Sequence, residues 1–252
     1  MPTGCWKRKK LPVGSRMKQR IWELDALRGL CILGVVLVHA VFDAVELYGV
    51  VKWDYPGWFV LVRDWGGLIF LMLSGICVTL GSHPVRRGIL VFLCGMVCTL
   101  VTWGMYRFGF ADKAIIIYFG VLHCLGACML LWPLFKKLPW WALGALGVML
   151  AVLGLGLEGN VRLEHLWLMP LGIYPKGFAS SDYFPLIHNL GFFLLGAALG
   201  KTLYKSKTTR FPGVNPAAQP VRLLCKCGSL SLWIYLLHQP VLAALFTLIT
   251  LL

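Results

Sequence analysis

Charged residues are scarce in this sequence. Only 13% of the 252 residues are charged, whereas 59% are hydrophobic. Soluble globular domains carry about 25% charged residues, so this scarcity excludes an ordinary soluble fold. The composition instead predicts an all-α polytopic membrane protein, whose length is set by its transmembrane helices.

Acidic residues are the scarcest charged class. There are 10 Asp and Glu but 24 Lys and Arg, which gives a formal net charge of +14. Such an excess also occurs in nucleic-acid-binding proteins, but here it follows the expected membrane topology, and we predict no nucleic-acid partner. Residues 1–20 are predicted to form a basic cytoplasmic tail, which serves as a topology signal alone or also contacts anionic membrane lipids.

The nine cysteines lack the spacing of a disulfide framework or a zinc site. Most lie in apolar runs, where cysteine behaves as a small hydrophobic residue. Cys225 and Cys227 flank a single lysine in a basic segment. We therefore predict no metal site. A cleavable signal peptide is not predicted either, because the first apolar run is too long and lacks a small-residue cleavage site.

Seven apolar runs are each close to the ~20 residues that a helix needs to cross a bilayer. They lie near residues 29–49, 57–80, 88–106, 114–135, 138–157, 184–204 and 229–251. We expect residues 21–252 to form a single transmembrane domain, integral to the bacterial inner membrane. Alternating crossings place 18 of the 24 basic residues on one side. Because cytoplasmic segments are enriched in Lys and Arg, the N-terminus is predicted inside and the C-terminus outside.

Two of the connections are long. Residues 201–228 contain three prolines and are predicted to be a cytoplasmic loop. In the outer connection, the apolar stretch Leu166–Tyr174 is too short to cross and is predicted to lie at the interface or to re-enter. Gly196 and Gly200 form a GxxxG pair in the sixth run. Its usual role is close helix packing, and a homodimer seam is the alternative.

The first apolar run carries a histidine and an aspartate at membrane depth. Arg28 lies at the water boundary, and His39 should lie roughly 16 Å deeper, in a hydrocarbon layer about 30 Å thick. Asp43 follows one helical turn later on the same face. Ionisable groups at that depth are costly and usually functional. We predict that His39 is a general base oriented by Asp43; a structural hydrogen bond between them is the alternative.

His123 and His238 are predicted near the same depth as His39. Either one alone is more often a packing histidine bonded to a backbone carbonyl, but three at one level indicate a shared polar cavity. Ser74, Tyr118 and Tyr235 are candidates to line it, although such residues also connect helices by hydrogen bonds.

Basic side chains near the predicted cytoplasmic boundary indicate a phosphate site. Lys18 and Arg20 precede Arg28, and Arg86 and Arg87 lie at the same boundary. Arginine suits phosphate because its planar guanidinium can form two parallel hydrogen bonds. Each of these residues is alternatively a topology anchor. Arg28 is also expected to pair with Asp25 across one turn.

Several motifs occur in an order that resembles a known family. LDALRGLCILGVVLVH (24–39) is similar to the first-helix motif of membrane acyltransferases, in which ten residues separate an arginine from a histidine. The other similar stretches are FLMLSG (70–75), IYFGVLH (117–123), SDYFPL (181–186), FFLLGAALG (192–200) and SLSLWIYLLHQPV (229–241). Together they resemble the heparan-α-glucosaminide N-acetyltransferase-like family over nearly all of the apolar runs.

The resemblance implies a membrane acetyltransferase. Such enzymes take acetyl from cytoplasmic acetyl-CoA and deliver it to an acceptor on the far side, typically an amino or hydroxyl group of a sugar. The resemblance also implies a catalytic histidine. In the family's lysosomal enzyme it is expected in the first outer loop, but here that loop, Glu46–Tyr55, contains no histidine, so His39 is the expected catalytic group. His188 and Asn189, just after SDYFPL, are expected to contact the acceptor or to cap the sixth helix.

Two other classes of protein are compatible with the same residues. A proton-coupled transporter would use the three histidines as a relay, although no inverted repeat is recognisable in the sequence. A catalytically silent membrane partner is the other alternative.

Overall fold

Proline marks the start of four long helices. Pro56, Pro139 and Pro185 come immediately before three of them, and Pro84 is the first residue of a fourth. Proline suits these positions because its fixed φ is compatible with helix entry and first-turn N–H groups have no helical partner. The apolar sequence that follows can satisfy its backbone in a bilayer only by forming a helix.

The computed structural model describes residues 21–158, 161 and 165–251. Its α-helices are α1 (Trp22–Phe42), α2 (Gly57–Leu80), α3 (Pro84–Arg107), α4 (Val121–Phe135), α5 (Trp140–Leu157), α6 (Leu186–Leu203), α7 (Gln219–Ser229) and α8 (Ser231–Leu251). A π-helical turn, Asp43–Leu47, continues α1, and 3-10 segments cover Lys113–Ile115 and Leu166–Leu171. No strand forms within these ranges, which confirms the all-α prediction; a single parallel bridge joins Phe119 to Tyr183.

Among the described residues, six helices are long and apolar enough to span a membrane: α1 with its π-helical turn, α2, α3, α5, α6 and α8. The chain is therefore an integral membrane protein. The predicted fourth run, 114–135, is only partly helical. Its helix α4 has 15 residues, so it is about 22 Å long and begins at Val121.

Side chains replace the helical hydrogen bonds just before α4. The Thr99 hydroxyl donates to the Ile117 carbonyl at 2.6 Å, and the Ile117 N–H donates to the Thr102 hydroxyl at 3.1 Å. The Ser180 hydroxyl donates to the Ile116 carbonyl at 2.8 Å. Non-helical backbone is tolerated at membrane depth where it is buried in protein and bonded in this way. Hydropathy alone predicted a continuous helix because it does not register these hydroxyl groups.

Residues 219–229 form α7, although 201–228 were predicted to be a loop. This helix packs closely on the first turns of α1. A Cβ on Gly29 would collide with the Leu224 carbonyl, and one on Gly228 would collide with the Asp25 carbonyl. Only one face of this short helix packs against the protein, so the rest of its sequence is polar. That polar composition is why the sequence predicted a loop.

Helix α6 lies at the centre of the packing, between α2 and α5. Gly196 faces the Met72 backbone, and Gly200 faces Ile76 and Thr79. The GxxxG prediction of close helix packing is thus confirmed within the chain. This pair is occupied by α2, so a homodimer would need a different surface.

Two ends of the helix bundle are important for the site. We call the "lysine end" the region formed by the α2–α3 connection, the end of α4 and the segment after α6. The "aromatic end" is formed by residues 113–120 and 165–185. Helices α2, α4 and α6 all run toward the lysine end, where their last turns lie around one cavity.

Candidate functional site

His39 of α1 and His238 of α8 lie side by side. Their ring centroids are 4.9 Å apart in an edge-to-face arrangement. Both residues are half-buried inside spanning helices. Neither nitrogen of His39 has a hydrogen-bond partner among the described residues. The structure therefore brings two of the three predicted histidines together, on two helices long enough to span a membrane.

His238 is held firmly by its own helix. Its Nδ1 lies 2.6 Å from the Tyr235 carbonyl, so Nδ1 carries the proton and donates it to that oxygen. Within the described part of the chain, its buried Nε2 has no hydrogen-bond partner, and neither has the buried side-chain oxygen of Gln239 beside it. Orphaned buried polar atoms are uncommon in folded proteins, and they cluster here next to His39.

Asp43 does not orient His39 as predicted. Its carboxylate is buried, and the side-chain amide nitrogen of Gln239 donates hydrogen bonds to both carboxylate oxygens, at 3.1 and 3.0 Å. The backbone becomes π-helical at Asp43, where α1 ends, and its carboxylate contacts α8 instead of the preceding turn of its own helix. Asp43 remains within electrostatic range of His238. Gln239 has no charge, and no sequence signal distinguished it from a packing residue.

Asp182 is a site residue that the sequence analysis missed. Its Oδ2 accepts the N–H of Val121, the first residue of α4, at 3.0 Å, and the Tyr235 hydroxyl at 3.0 Å. A carboxylate at a helix N-terminus is stabilised by the helix dipole. Burial nevertheless raises the pKa of Asp182, and the bonds from Val121 and Tyr235 partly offset this. The signal was its place inside the SDYFPL motif.

Tyr235 therefore connects two parts of the site. Its hydroxyl binds Asp182, its carbonyl binds His238, and its ring centroid lies 5.4 Å from the His238 ring. The sequence analysis predicted Tyr235 as a cavity residue. The structure shows it as the link between Asp182 and the histidine pair.

Among the described residues, no ring contact or hydrogen bond joins His123 to either histidine of the pair, although three histidines were predicted around one cavity. His123 lies in the first turn of α4, with its ring against Phe92 and Phe119. Its Nδ1 accepts the Gly120 N–H at 3.3 Å, and its Nε2 lies 3.3 Å from the Thr99 hydroxyl. Since both ring nitrogens are engaged and the side chain is buried, His123 packs and caps α4.

A cavity of about 610 Å³ opens at the lysine end. Its lining includes Lys136, Lys137, Lys201, Lys205 and Lys207, and no Asp or Glu lies among its described lining residues. The Lys201 ammonium donates to the carbonyls of Lys136 and Leu138, at 2.8 and 2.5 Å. Lysine-rich, concave surfaces of this kind attract polyanions such as phosphates.

The buried Glu23 of α1 positions the segment that carries two of these lysines. Its carboxylate accepts the Thr209 hydroxyl at 2.9 Å and the Arg210 N–H at 2.7 Å. Glu23 thereby holds the chain after α6 against the start of α1.

The predicted phosphate-binding arginines do not line the lysine cavity. Arg28 lies 3.7 Å from Asp25, as predicted for that pair, and is partly exposed. Arg86 and Arg87 are exposed in the first turn of α3, just beyond the cavity residue Pro84. Lys18 and Arg20 lie outside the described residues.

A smaller cavity, about 240 Å³, lies at the aromatic end. Tyr118, Phe178, Lys113 and Lys176 line it, and the rings of Tyr118 and Phe178 are 5.7 Å apart. Tyr118 was predicted to line the histidine cavity, but it belongs to this one. Its backbone lies in the non-helical segment before α4, which brings it to the end of the bundle.

The remaining predicted residues lie elsewhere. Ser74 is buried in α2, and none of the described contacts joins it to the histidine pair. His188 lies 3.6 Å from Glu158 and packs on Gly154 of α5. Asn189 is buried and donates to the Pro185 carbonyl at 2.7 Å, in the first turn of α6. This bond favours the second of the two alternatives given for Asn189, a capping role at the start of the sixth helix, over contact with the acceptor.

A family comparison now decides the class of protein. The model of the heparan-alpha-glucosaminide N-acetyltransferase catalytic domain matches residues 20–240, which include both histidines of the pair and Asp182. The chain belongs to this family. It is thus a member of a family of membrane acetyltransferases, and the resemblance noted in the sequence is confirmed. Comparison with curated proteins and with solved structures gave no match.

Proposed function

We propose that the protein transfers acetyl from cytoplasmic acetyl-CoA to an amino or hydroxyl group of a sugar or similar small molecule outside the cytoplasm. Residues 21–252 would act as one acyltransferase domain of the bacterial inner membrane. One observation carries the proposal. His39, which has no hydrogen bond among the described residues, lies on a helix long enough to span a membrane, beside a second histidine, in a chain that belongs to an acetyltransferase family.

The lysine end supplies the donor side in this proposal. Acetyl-CoA carries several phosphate groups, and the five lysines of the cavity provide positive charge, with no Asp or Glu among the described lining residues. With the N-terminus inside, this end faces the cytoplasm, in agreement with the excess of basic residues. Arg28, Arg86 and Arg87 lie near the same boundary and would add long-range attraction.

His39 provides the chemistry. A neutral imidazole takes a proton readily near neutral pH, so His39 would deprotonate the acceptor or carry the acetyl group. Its location inside the bundle restricts water, which protects the thioester from hydrolysis. General-base loss typically lowers the rate by about 10²–10⁴-fold.

The aromatic end would receive the acceptor. Its cavity combines aromatic rings with polar groups, a composition common in ligand sites. A transporter is the weaker candidate, because His123 is fully bonded and a relay of three histidines is therefore not formed.

Acetyl transfer measured in inverted membrane vesicles tests the proposal. Acetyl-CoA is supplied outside, at the cytoplasmic face, and a panel of amino and hydroxyl sugars is loaded inside. We expect acetylated sugar in the lumen of wild-type vesicles and about 10²–10⁴-fold less with His39→Ala, while acetyl-CoA still binds. Absence of transfer to every acceptor by wild-type protein, or full transfer by His39→Ala, would contradict it.

A further inference from the structure

His238 has one ring nitrogen, Nε2, that can accept a hydrogen bond and does not do so among the described residues. Its Nδ1–H is committed to the Tyr235 carbonyl at 2.6 Å, so the ring cannot easily turn and Nε2 carries the lone pair. That Nε2 is buried and has no hydrogen-bond partner among the described residues. An acceptor fixed in this way is rarely left unused, since burying it unbonded is unfavourable.

His39 is the donor within reach. Its ring lies 4.9 Å from the His238 ring, and its own nitrogens have no bond among the described residues. The other neighbouring side-chain donors, the Gln239 amide N–H group and the Tyr235 hydroxyl, are already engaged. Asp43 is bonded to Gln239, and the Tyr235 hydroxyl is bonded to Asp182. A small rotation of the His39 side chain would direct one N–H toward Nε2; such bonds often tighten only when substrate binds.

We propose that His238 is the positioning residue of His39, in a histidine–histidine pair that takes the place of a histidine–carboxylate pair. This inference rests on the proposed function. His238 Nε2 accepts one N–H of His39, which leaves the other His39 nitrogen unprotonated and directed at the acceptor. His238 also stabilises the imidazolium that His39 becomes, with the nearby Asp43 adding electrostatic support.

The acceptor nitrogen or oxygen bonds to the acetyl carbon as its proton moves to His39. The carbon–sulfur bond of the thioester then breaks, and the departing thiolate takes that proton from His39 to give free CoA. His238 keeps its own Nδ1 proton throughout and holds the second N–H of His39.

Two substitutions separate this role from simple packing. His238→Leu fills the space but removes the acceptor, whereas His238→Gln retains a neutral oxygen near the position of Nε2. We expect His238→Leu to lower kcat by about 10²-fold or more, with the KM for acetyl-CoA changed by less than about 2-fold. His238→Gln should recover at least about a tenth of wild-type kcat. Thr250→Val, at an exposed position of the same helix, α8, is the matched control and should match wild type.

A measurement independent of activity accompanies this one. Diethyl pyrocarbonate acylates unprotonated imidazole nitrogens, and mass spectrometry gives its rate at His39. We expect this rate to fall in His238→Leu and to be largely kept in His238→Gln, with unchanged melting temperature. If His238→Leu does not fold, His238→Met replaces it.

Active His238→Leu, equal losses in the Leu and Gln variants, or an unchanged acylation rate of His39 would each overturn the inference. If wild-type protein transfers no acetyl, the proposed function fails, but the acylation rates still decide whether His238 positions His39.

Discussion

Among single residues, Asp182 connects three separate parts of the chain. One carboxylate oxygen accepts two hydrogen bonds, from the N–H of Val121 at the N-terminus of α4 and from the hydroxyl of Tyr235 in α8. Gly120 lies so close that a Cβ there would collide with this carboxylate. Asp182 thus joins the segment before α6 to two helices, and through Tyr235 it supports the position of His238.

We expect Asp182→Ala to destabilise the protein strongly. Two donors would lose their acceptor, and each buried donor left unbonded costs about 1–3 kcal/mol. The melting temperature of the detergent-purified protein is the measurement. Ser181→Ala is the matched control, because its exposed hydroxyl makes a single bond to the Ile115 carbonyl. A larger effect from Ser181→Ala would contradict the importance given to Asp182.

Asp182 should also make stability depend on pH. Burial raises its folded-state pKa above the ordinary value of 3.8. A group with a raised folded pKa contributes stability that is fully present below its unfolded pKa and is lost as pH rises through the folded pKa. The melting temperature of wild type relative to Asp182→Asn should therefore decrease from pH 4 upward. A difference that stays constant or grows with pH would contradict this.

At the scale of elements, α1 and α7 show how close helix packing depends on glycine. Gly29 and Gly228 let the two backbones touch, since a Cβ on either would collide with a carbonyl of the other helix. Gly34, further along α1, has nothing within 4 Å of where its Cβ would be. The same helix therefore contains a glycine that is required and one that is not.

Gly29→Ala should lower the melting temperature, while Gly34→Ala should leave it unchanged or raise it. Overpacking at Gly29 is expected to cost about 1–3 kcal/mol. At Gly34 the exchange brings only the better helix propensity of alanine, up to about 1 kcal/mol. Equal effects of the two substitutions would show that α7 does not pack on α1 as described.

The helices were largely predictable, but their polar connections were not. The bounds 57–80 predicted for the second span agree with α2, because an apolar run with a proline before it needs no tertiary information. The start of α4 depends on Thr99, Thr102 and Ser180, which are distant in sequence. Counting residues predicted similar depths for His39 and His238, and their rings do lie together. The Asp43–Gln239 bond, in contrast, depends on how α1 and α8 meet.

At the scale of the whole molecule, two cavities lie at different ends of a bundle with a histidine pair inside. The lysine end is the more strongly charged of the two, with five lysines around one cavity. One of them, Lys201, is tied to the carbonyls that end α4, while Lys137, Lys205 and Lys207 are exposed. This distribution suits a donor that is anchored by its phosphates and reacts deeper in the protein.

Replacing Lys137, Lys205 and Lys207 together by Gln should therefore weaken acetyl-CoA binding. Each exposed charge pair is worth about 0.2–1 kcal/mol, so the triple variant should raise the Kd by about 10-fold, and less at high salt. Dephospho-CoA, which lacks one phosphate, should be affected less. Lys113→Gln with Lys176→Gln, at the aromatic end, is the matched control for binding. If Arg28→Ala weakens acetyl-CoA binding and the triple variant does not, the phosphates bind at the start of α1 instead of in the lysine cavity.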